Sequence, residues 1–343
     1  MSTLKMLEDH LKTSGAFTEK VHPFILTALN AISGEVPYRL KLSIALSEVI
    51  TITSHLRKPI ELHDGTIVPC NAITFALAGS GVSKDSSMNM VRRGLQPGYH
   101  MINEYRKDLA RHQAEQRAIL EGKKKEDWLS FYEAPRDLQP GLGSPEGLVN
   151  HFAELAKGEV GAAAVNSSEI GSELQTNGNL TEIIKILSIG YDLGKIPAKI
   201  IKSSEHQTAS VDGLPINALL FGSQDAILYD NSIKNKFKTI FNTQLARRSI
   251  FSFSPEVMEP IEFDSIDELN NYRNSERERT RTSQETLQKE VMEIIEGTTQ
   301  EPLKLSEEAQ NLFDVYKEYN TLVANDMNAR FQINRLALSL IHI

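Results

Sequence analysis

The sequence predicts an α/β fold built on a mostly parallel sheet. Three apolar segments, one beginning at Ile73 and the others at Val160–Val165 and Ile216–Phe221, each end in a polar loop and are separated by helical patterns. Strands that alternate with helices in this way are typical of a parallel sheet. Because parallel sheets bind ligands at the carboxyl ends of their strands, we expect a functional site in the loops that follow these segments.

Periodicity and turn residues predict the elements around these strands. Apolar residues recur at helical spacing over residues 4–56, and a hairpin is predicted around Asp64-Gly65. The helix that follows the first apolar segment is expected to run to about Arg93. Ser144-Pro145 is typical of the start of another helix.

Two charged stretches, residues 103–134 and 264–300, are predicted to be solvent-exposed helices. Trp128, Phe131 and Tyr132 are expected to anchor the return of the first stretch to the core. The tail, residues 305–343, has the pattern of one or two amphipathic helices. We therefore divide the chain into a helical N-terminal region (1–58), an α/β core (59–260) with a helical insertion at about 103–140, and a charged and amphipathic helical C-terminal region (261–343).

Composition excludes several classes of protein. The chain has 343 residues and a formal net charge of −8, which argues against broad, non-specific coating of nucleic acid. Cys70 is the single cysteine, so an intrachain disulfide framework is excluded and a reducing cytoplasm is expected. No apolar run approaches the roughly 20 residues that a membrane span needs, and we expect no membrane partner. The nine histidines are scattered, without the spacing of metal ligands.

The segment from Ile73 to Ser87 is the most informative part of the sequence. An apolar strand is followed by a loop of small residues, and then by Lys84 and hydroxyl residues that open a helix. This is the layout of a phosphate-binding P-loop, in which backbone N–H groups and one lysine hold a nucleotide's phosphates. The predicted phosphate-binding residues are Gly79, Ser80, Gly81, Val82, Ser83, Lys84, Asp85 and Ser86.

The match to the usual G-x-x-x-x-G-K-[S/T] pattern is incomplete. Ala78 and Ser83 stand at the two glycine positions, and Asp85 stands where a hydroxyl residue normally binds Mg²⁺. The motif therefore leaves open a second interpretation, a glycine- and serine-containing turn between a strand and a helix that binds no ligand.

Several further motifs, in order along the chain, resemble a family of RecA-like P-loop proteins from phages, plasmids and bacteria. The members are helicases or primase-associated ATPases of DNA replication. The resemblance covers roughly residues 35–343. The segments that carry it are Val36-Pro37-Tyr38, Lys84-Asp85, Gly143–Leu148, Asn166–Gly171, Gly222-Ser223-Gln224 and Leu245–Phe251.

The resemblance implies a RecA-like P-loop core and assigns roles to individual residues. Lys84 would neutralise the β- and γ-phosphates of ATP, and Glu169 would polarise the attacking water. Since the metal-binding aspartate of the family is replaced by Ser168, we hypothesise that Asp85 and Ser168 share the Mg²⁺ role, with carboxylate and hydroxyl exchanged. Gln224 is the candidate γ-phosphate sensor. Arg247 and Arg248 are candidate arginine fingers that reach a neighbouring subunit.

The implied function is an ATP- and Mg²⁺-dependent, helicase-like motor. It would act as an oligomer on single-stranded DNA, together with other replication proteins. The expected compartment is the cytoplasm, which is the host cytoplasm if a phage encodes the chain. The candidate phosphate contacts to DNA are Lys123-Lys124-Lys125, Arg92-Arg93 and the series Arg277, Arg279 and Arg281.

Competing interpretations remain at this stage. Each site residue has a structural alternative: a solvated lysine, a helix-start acid, a strand-end hydrogen bond or a surface ion pair. The three departures at Ser83, Asp85 and Ser168 also suit a hydrolysis-deficient DNA-binding or scaffolding subunit of a replication or transcription complex. A serine hydrolase is rejected, because Gly81-Val82-Ser83 lacks the closing glycine of a nucleophile elbow.

Overall fold

The computed structural model describes residues 3–14, 21–62, 64–79, 81–176, 179–199, 207–241, 245, 248–254, 261–297 and 302–326. Their strands are β1 (Pro59–Glu61), β2 (Ile67–Pro69), β3 (Ile73–Ala78), β4 (Ala163–Ser167), β5 (Ile216–Ser223), β6 (Ser249–Ser254) and β7 (Leu303–Lys304). Their α-helices are α1 (Thr3–Thr13), α2 (Pro23–Asn30), α3 (Tyr38–Ser54), α4 (Lys84–Leu120), α5 (Pro145–Ala156), α6 (Ile170–Thr176), α7 (Leu180–Tyr191), α8 (Gln224–Tyr229), α9 (Asn231–Phe241), α10 (Ile266–Gly297) and α11 (Glu307–Asp326), and a 3₁₀ helix, η1 (Lys125–Phe131), follows α4.

The centre of the fold is a four-stranded sheet in the order β4-β5-β3-β6, and all of its strands are parallel. Strand β3 lies inside the sheet, with Ile73 paired to Ala218 on one side and to Ser249 on the other. All six residues of β3 are buried, which explains why this segment reads as a continuous apolar run. The α/β fold with a parallel sheet is confirmed.

Helices cover both faces of the sheet. On one face, Asn217 of β5 donates a 2.7 Å hydrogen bond to the hydroxyl of Ser54 in α3. On the other face, a Cβ at Gly190 of α7 would lie 2.5 Å from Ile216, so only glycine permits this close approach of helix and strand. The ring of Phe237 in α9 meets that of Phe75 edge-on at 6.1 Å on this second face.

The helix after β3 is longer than the sequence suggested. The predicted end at about Arg93 is wrong, because α4 continues through Pro97 to Leu120. Helix α10 packs along this part of α4, and Gly94 and Gly98 make room for it. A Cβ at Gly94 would lie 2.6 Å from Leu287, and one at Gly98 would lie 2.7 Å from Val291. Tertiary packing here outweighs the local signal of proline to end a helix.

Most of the other predicted elements are confirmed. The hairpin forms as the antiparallel pair β1 and β2, and Gly65 at its turn has a φ of +79°. Ser144 caps α5 by accepting a hydrogen bond from the N–H of Gly147 at 3.1 Å. Residues 103–120 form the exposed half of α4, and η1 folds back along it with the Trp128 ring edge-on to Tyr132 at 5.4 Å.

Two strand assignments needed correction. Strand β4 spans Ala163–Ser167 rather than 160–165, because Gly161, with a φ of +115°, belongs to the preceding turn. Strand β6 was not identified from the sequence, since its serines and aromatic residues lack a clean apolar run. Of the predicted C-terminal helices, α11 is observed, and residues 327–343 lie outside the described part of the chain. Among the described residues, no helix combines the length and the apolar character that crossing a membrane demands.

A buried histidine joins α3 to β4. The imidazole of His55 is fully buried, and its Nδ1 accepts a 2.8 Å hydrogen bond from the N–H of Ala162. Burial, and secondarily the positive charges of Arg106 and Arg57, lower the pKa of His55 to about 3. The side chain is therefore neutral in the folded protein at any ordinary pH.

We expect the neutral state of His55 to make stability depend on pH. In the unfolded chain a histidine titrates near pH 6.5, so the unfolded state takes up the proton first as the pH falls. The stabilisation is complete above about pH 6.5 and is lost as the pH falls toward 3. Between pH 7.5 and 5.5 this group alone should lower the free energy of unfolding by about 1.4 kcal/mol, measurable by urea denaturation.

The matched variants are His55→Gln, which keeps an acceptor for Ala162, and His100→Gln, which removes an exposed histidine from α4. The first should lose about 1.4 kcal/mol of the pH dependence, and the second should keep it. An unchanged pH dependence in His55→Gln would contradict a neutral, buried imidazole.

Candidate functional site

The loop between β3 and α4 turns sharply and exposes the start of a helix. Strand β3 ends at Ala78, Gly81 has a φ of +83°, and α4 begins at Lys84. Ser83 precedes the helix in the left-handed conformation, with φ 54° and ψ 38°. The first N–H groups of a helix have no partner within it, so the start of α4 presents donors suited to an anion.

Lys84 reaches across this loop to the end of β5. Its side chain is only 11 % exposed, although it stands at the first position of a helix. Its Nζ donates to the carbonyl oxygen of Gly222 at 3.4 Å and lies 4.0 Å from Oε2 of Glu169. The simple alternative of a solvated lysine is therefore wrong for Lys84.

Glu169 is held in place by backbone donors. Its Oε1 accepts hydrogen bonds from the N–H of Ser223 at 3.0 Å and from the N–H of Gly171 at 3.1 Å. Its other oxygen, Oε2, faces Lys84. The carboxylate therefore ties the end of β4 to the end of β5, and one oxygen stays on the side of the loop.

Gln224 lies at the same edge of the sheet. It follows the last residue of β5 and opens α8. Its Nε2 lies 3.7 Å from the point where a Cβ at Gly79 would be, so the amide sits beside the first residue of the loop. The structure thus brings together Lys84, Glu169, Gln224 and Gly79, which come from three separate parts of the sequence.

The two residues predicted to hold Mg²⁺, Asp85 and Ser168, make no contact with the described residues that fixes their side chains. The side chains of Asp85 and Ser168 are exposed, and neither makes a hydrogen bond or ion pair with the described residues. Within the described ranges, no group of three or more His, Cys, Asp or Glu side chains is arranged to hold a metal ion. The exchange of carboxylate and hydroxyl between these positions stays a hypothesis.

Ser167, beside them, was missed by the sequence reasoning. It is the last residue of β4, it is 5 % exposed, and its hydroxyl has no hydrogen-bond partner in the part of the chain that the structure describes. A buried hydroxyl without a partner is uncommon and marks a place where a water or ligand would be favoured. The sequence does contain a signal for this burial. Neighbouring residues of a strand point to opposite faces, so Ser167 is expected to be buried when Ser168 is exposed.

Arg248, one of the two candidate arginine fingers, lies away from this edge. Arg248 precedes β6, and its guanidinium donates to both carboxylate oxygens of Asp192 at the end of α7. Because β6 is parallel to β3, Arg248 is at the amino edge of the sheet, about 20 Å from the carboxyl edge along six residues of strand. Arg247 and the loop residue Ser80 lie outside the described residues. The finger role stays a prediction.

Four of the eight basic residues proposed to contact DNA phosphates have acidic partners among the described residues. Arg92 donates two hydrogen bonds, of 2.8 and 2.9 Å, to the buried carboxylate of Glu48. Lys125 pairs with Glu115 at 3.0 Å, and this carboxylate also accepts from Arg111. Arg279 and Arg281 pair with Glu276 and Glu285 on their own helix. These four cations are therefore paired with acids in the folded chain, and a contact of any of the eight with DNA stays a prediction.

The conformation of Ser83 leads to a test of the loop. A left-handed residue with a side chain is strained, so Ser83→Gly should raise the free energy of unfolding by about 0.5 to 1 kcal/mol. The same change three residues later, Ser86→Gly, lies within the first turn of α4 and should lower it by a few tenths of a kcal/mol. Urea denaturation of both variants measures the difference, and a destabilised Ser83→Gly would show that the loop does not need a positive φ here.

Comparison with known proteins gives no relative for this chain, so the function has to be inferred from the geometry of the edge described above. No protein-family model and no curated protein matches the chain. What is established is an α/β fold whose four parallel strands end at an edge that gathers Lys84, Glu169 and Gln224.

Proposed function

We propose that the chain is a RecA-like P-loop ATPase that works as a helicase-like motor on DNA in phage- or plasmid-type replication, as an oligomer and with ATP and Mg²⁺. The parallel sheet flanked by helices is compatible with such a core. The observation that carries the proposal is the position of Lys84, which folds from a helix start over a glycine-containing loop to meet Glu169 at 4.0 Å. This combination suits a nucleotide's phosphates.

The contacts of Lys84 leave it ready to bind an anion. An ammonium group has three donors, and the two interactions described for it, at 3.4 and 4.0 Å, are long. Exchange of these contacts for phosphate oxygens costs little, whereas the N–H groups at the start of α4 add further donors. The backbone N–H groups of residues 79–85 and the side chain of Lys84 would therefore hold the phosphates.

The contacts of Glu169 support the role of general base that we propose for it. Two backbone donors fix one of its oxygens, so the carboxylate cannot rotate freely. The second oxygen, Oε2, lies 4.0 Å from the lysine, on the side where the γ-phosphate would be expected. Gln224, next to Gly79, is placed to donate to the same group.

Asp85 and Ser168 offer exposed oxygen atoms with no partner among the described residues, and oxygen ligands are those that Mg²⁺ takes. If these residues held a magnesium ion, it would supply positive charge to neutralise the phosphates. The residues present thus fit a triphosphate with its metal, although Asp85 would repel the phosphates unless a cation lies between them.

A hydrolysis-deficient DNA-binding or scaffolding subunit is the second candidate. It is favoured by the strained Ser83 and by Asp85, an acidic residue at the position of the metal-binding hydroxyl. The two candidates share the phosphate site and differ in turnover.

Removal of the lysine should abolish tight nucleotide binding. Loss of a charge-assisted contact to phosphate weakens affinity by about 10- to 100-fold, so Lys84→Ala should raise the Kd for ATP with Mg²⁺ by that factor in isothermal titration calorimetry. Lys185→Ala removes an exposed lysine of α7 and should leave the Kd unchanged. Equal affinities for the wild-type protein and Lys84→Ala would remove the basis of the proposal.

Steady-state hydrolysis separates the motor from the scaffold. If the motor proposal holds, ATP turnover rises with single-stranded DNA, and Glu169→Gln lowers the rate by about 100-fold or more while the Kd for ATP stays within a few-fold. Gln keeps an acceptor for the backbone donors of Ser223 and Gly171, so the fold is preserved. ATP binding without any turnover in the wild-type protein would favour the scaffolding subunit.

A further inference from the structure

Helix α9 is unusual in its charge. The chain as a whole is acidic, with a formal net charge of −8, yet α9 carries Lys234, Lys236 and Lys238 and has no acidic residue among its 11 positions. Lysines at spacing i and i+4 repel one another by a few tenths of a kcal/mol when no acid separates them. Lys238 lies in the last turn of α9, where a cation is favourable, but three lysines without an acid still make this helix locally positive in an acidic chain.

Packing fixes the direction in which these lysines point. Ile233, Phe237 and Ile240 are buried and hold one side of α9 against the sheet. The Nζ of Lys236 donates to the carbonyl oxygen of Leu174 at 2.5 Å, so this flank of α9 faces the end of α6. Each residue turns a helix by about 100°, which places residues 234 and 238 on the opposite flank.

Lys234 and Lys238 are free on that flank. Within the described part of the chain neither side chain makes an ion pair or a hydrogen bond, and Lys238 is exposed. Asn231 and Asn235, both exposed, follow the same outer surface at helical spacing and add neutral donors. The nearest acid along the chain, Asp230, already accepts from the N–H groups of Ser232 and Ile233 and from the amide of Gln175.

The flank opposite Lys236 is turned away from α6, toward the side of β3 on which β6 lies, and β6 carries an exposed aromatic ring. Phe237 of α9 packs on Phe75 of β3, and Phe251 of β6 stacks on the same ring at 5.0 Å with an interplanar angle of 11°. Side chains alternate along a strand, so Phe253 points to the same face as Phe251. Its side chain is 43 % exposed, and β6 is the edge strand of the described sheet on this side.

We infer that Lys234, Lys238 and Phe253 form a contact surface for single-stranded nucleic acid. The lysines would contact successive phosphates, and the ring of Phe253 would stack on a base. Single strands are specified because a base stacks on a protein ring only when it is not held inside a duplex. An acidic peptide would satisfy the lysines and would leave the exposed ring without a partner.

This surface adjoins the candidate nucleotide site. Phe253 pairs with Leu77, and the loop that carries Lys84 begins two residues after Leu77. For its biological role the inference rests on the proposed function, since a strand bound here would lie next to the loop that holds ATP. Its test needs no nucleotide, so it can succeed or fail independently.

Fluorescence anisotropy with a labelled oligothymidylate, at several salt concentrations and without ATP, tests the lysines. Each phosphate contact to a single strand contributes about 0.7 to the slope of log K against log salt, so Lys234→Ala/Lys238→Ala should lower the slope by about 1.4. The control, Lys185→Ala/Lys317→Ala, changes the net charge equally at two exposed lysines elsewhere. Equal losses in the two double variants, or a greater loss in the control, would overturn the inference.

A second variant tests the aromatic ring. Phe253→Leu keeps an apolar side chain beside Leu77 and should weaken binding by about 5- to 150-fold, whereas Phe253→Trp should retain it. An oligonucleotide of abasic sites should bind the wild-type protein as weakly as it binds Phe253→Leu. Thermal unfolding of each variant confirms that it is folded. Binding that is equally tight to duplex DNA, or unaffected by loss of the bases, would contradict a stacking surface.

The outcome for ATP does not decide this test. If Lys84→Ala loses ATP and the anisotropy results hold, both proposals stand. If ATP does not bind and the anisotropy results hold, the surface belongs to a DNA-binding subunit, which is the second candidate function. If ATP binds and the variants of α9 and β6 bind DNA like the wild-type protein, this inference alone is wrong.

Discussion

The contact of Lys84 and Glu169 with the end of β5 is the constraint on which the site depends. The lysine donates to the carbonyl oxygen of Gly222, the carboxylate accepts from the N–H of Ser223, and the two side chains lie 4.0 Å apart. Because a single peptide group, that between Gly222 and Ser223, holds both side chains, the start of α4 and the turn after β4 share one reference point. Any ligand that draws Lys84 away changes the environment of Glu169 directly.

The sheet makes this convergence possible. Strand β5 lies between β3 and β4, and all three end at the same edge, so residues separated by more than 80 positions meet there. The buried Asn217 stabilises this order, since it bonds α3 through Ser54 and accepts from the N–H of Ala72 just before β3. Buried polar groups with all partners in place favour one arrangement of strands over others. The edge strand β6 then carries Phe251 and Phe253, the second of which belongs to the contact surface that we propose beside the candidate nucleotide site.

The secondary-structure elements could be predicted from local sequence patterns, whereas the contacts between distant segments could not. Apolar runs and capping residues indicated β3, β5 and α5, and the polar residues after each strand indicated the edge at which Lys84, Glu169 and Gln224 meet. The length of α4 could not be read locally, because the packing of Leu287 against Gly94 overrides the effect of Pro97. Strand β6 and the lysines of α9 were not predicted, because the burial of β6 and the direction of these lysines are set by elements that are distant in the sequence. The ion pair of Arg92 with Glu48 joins residues 44 positions apart and has no sequence signal of its own.

A structure of the protein with a non-hydrolysable ATP analogue and Mg²⁺ tests the central claim most directly. The account predicts phosphate oxygens within hydrogen-bonding distance of Lys84 Nζ and of the N–H groups between Gly79 and Asp85, with the contact of Lys84 to Gly222 replaced. It also predicts that Glu169 keeps its bonds to Ser223 and Gly171. An analogue bound elsewhere, or a loop that stays empty at saturating nucleotide while Lys84 remains on Gly222, would contradict it.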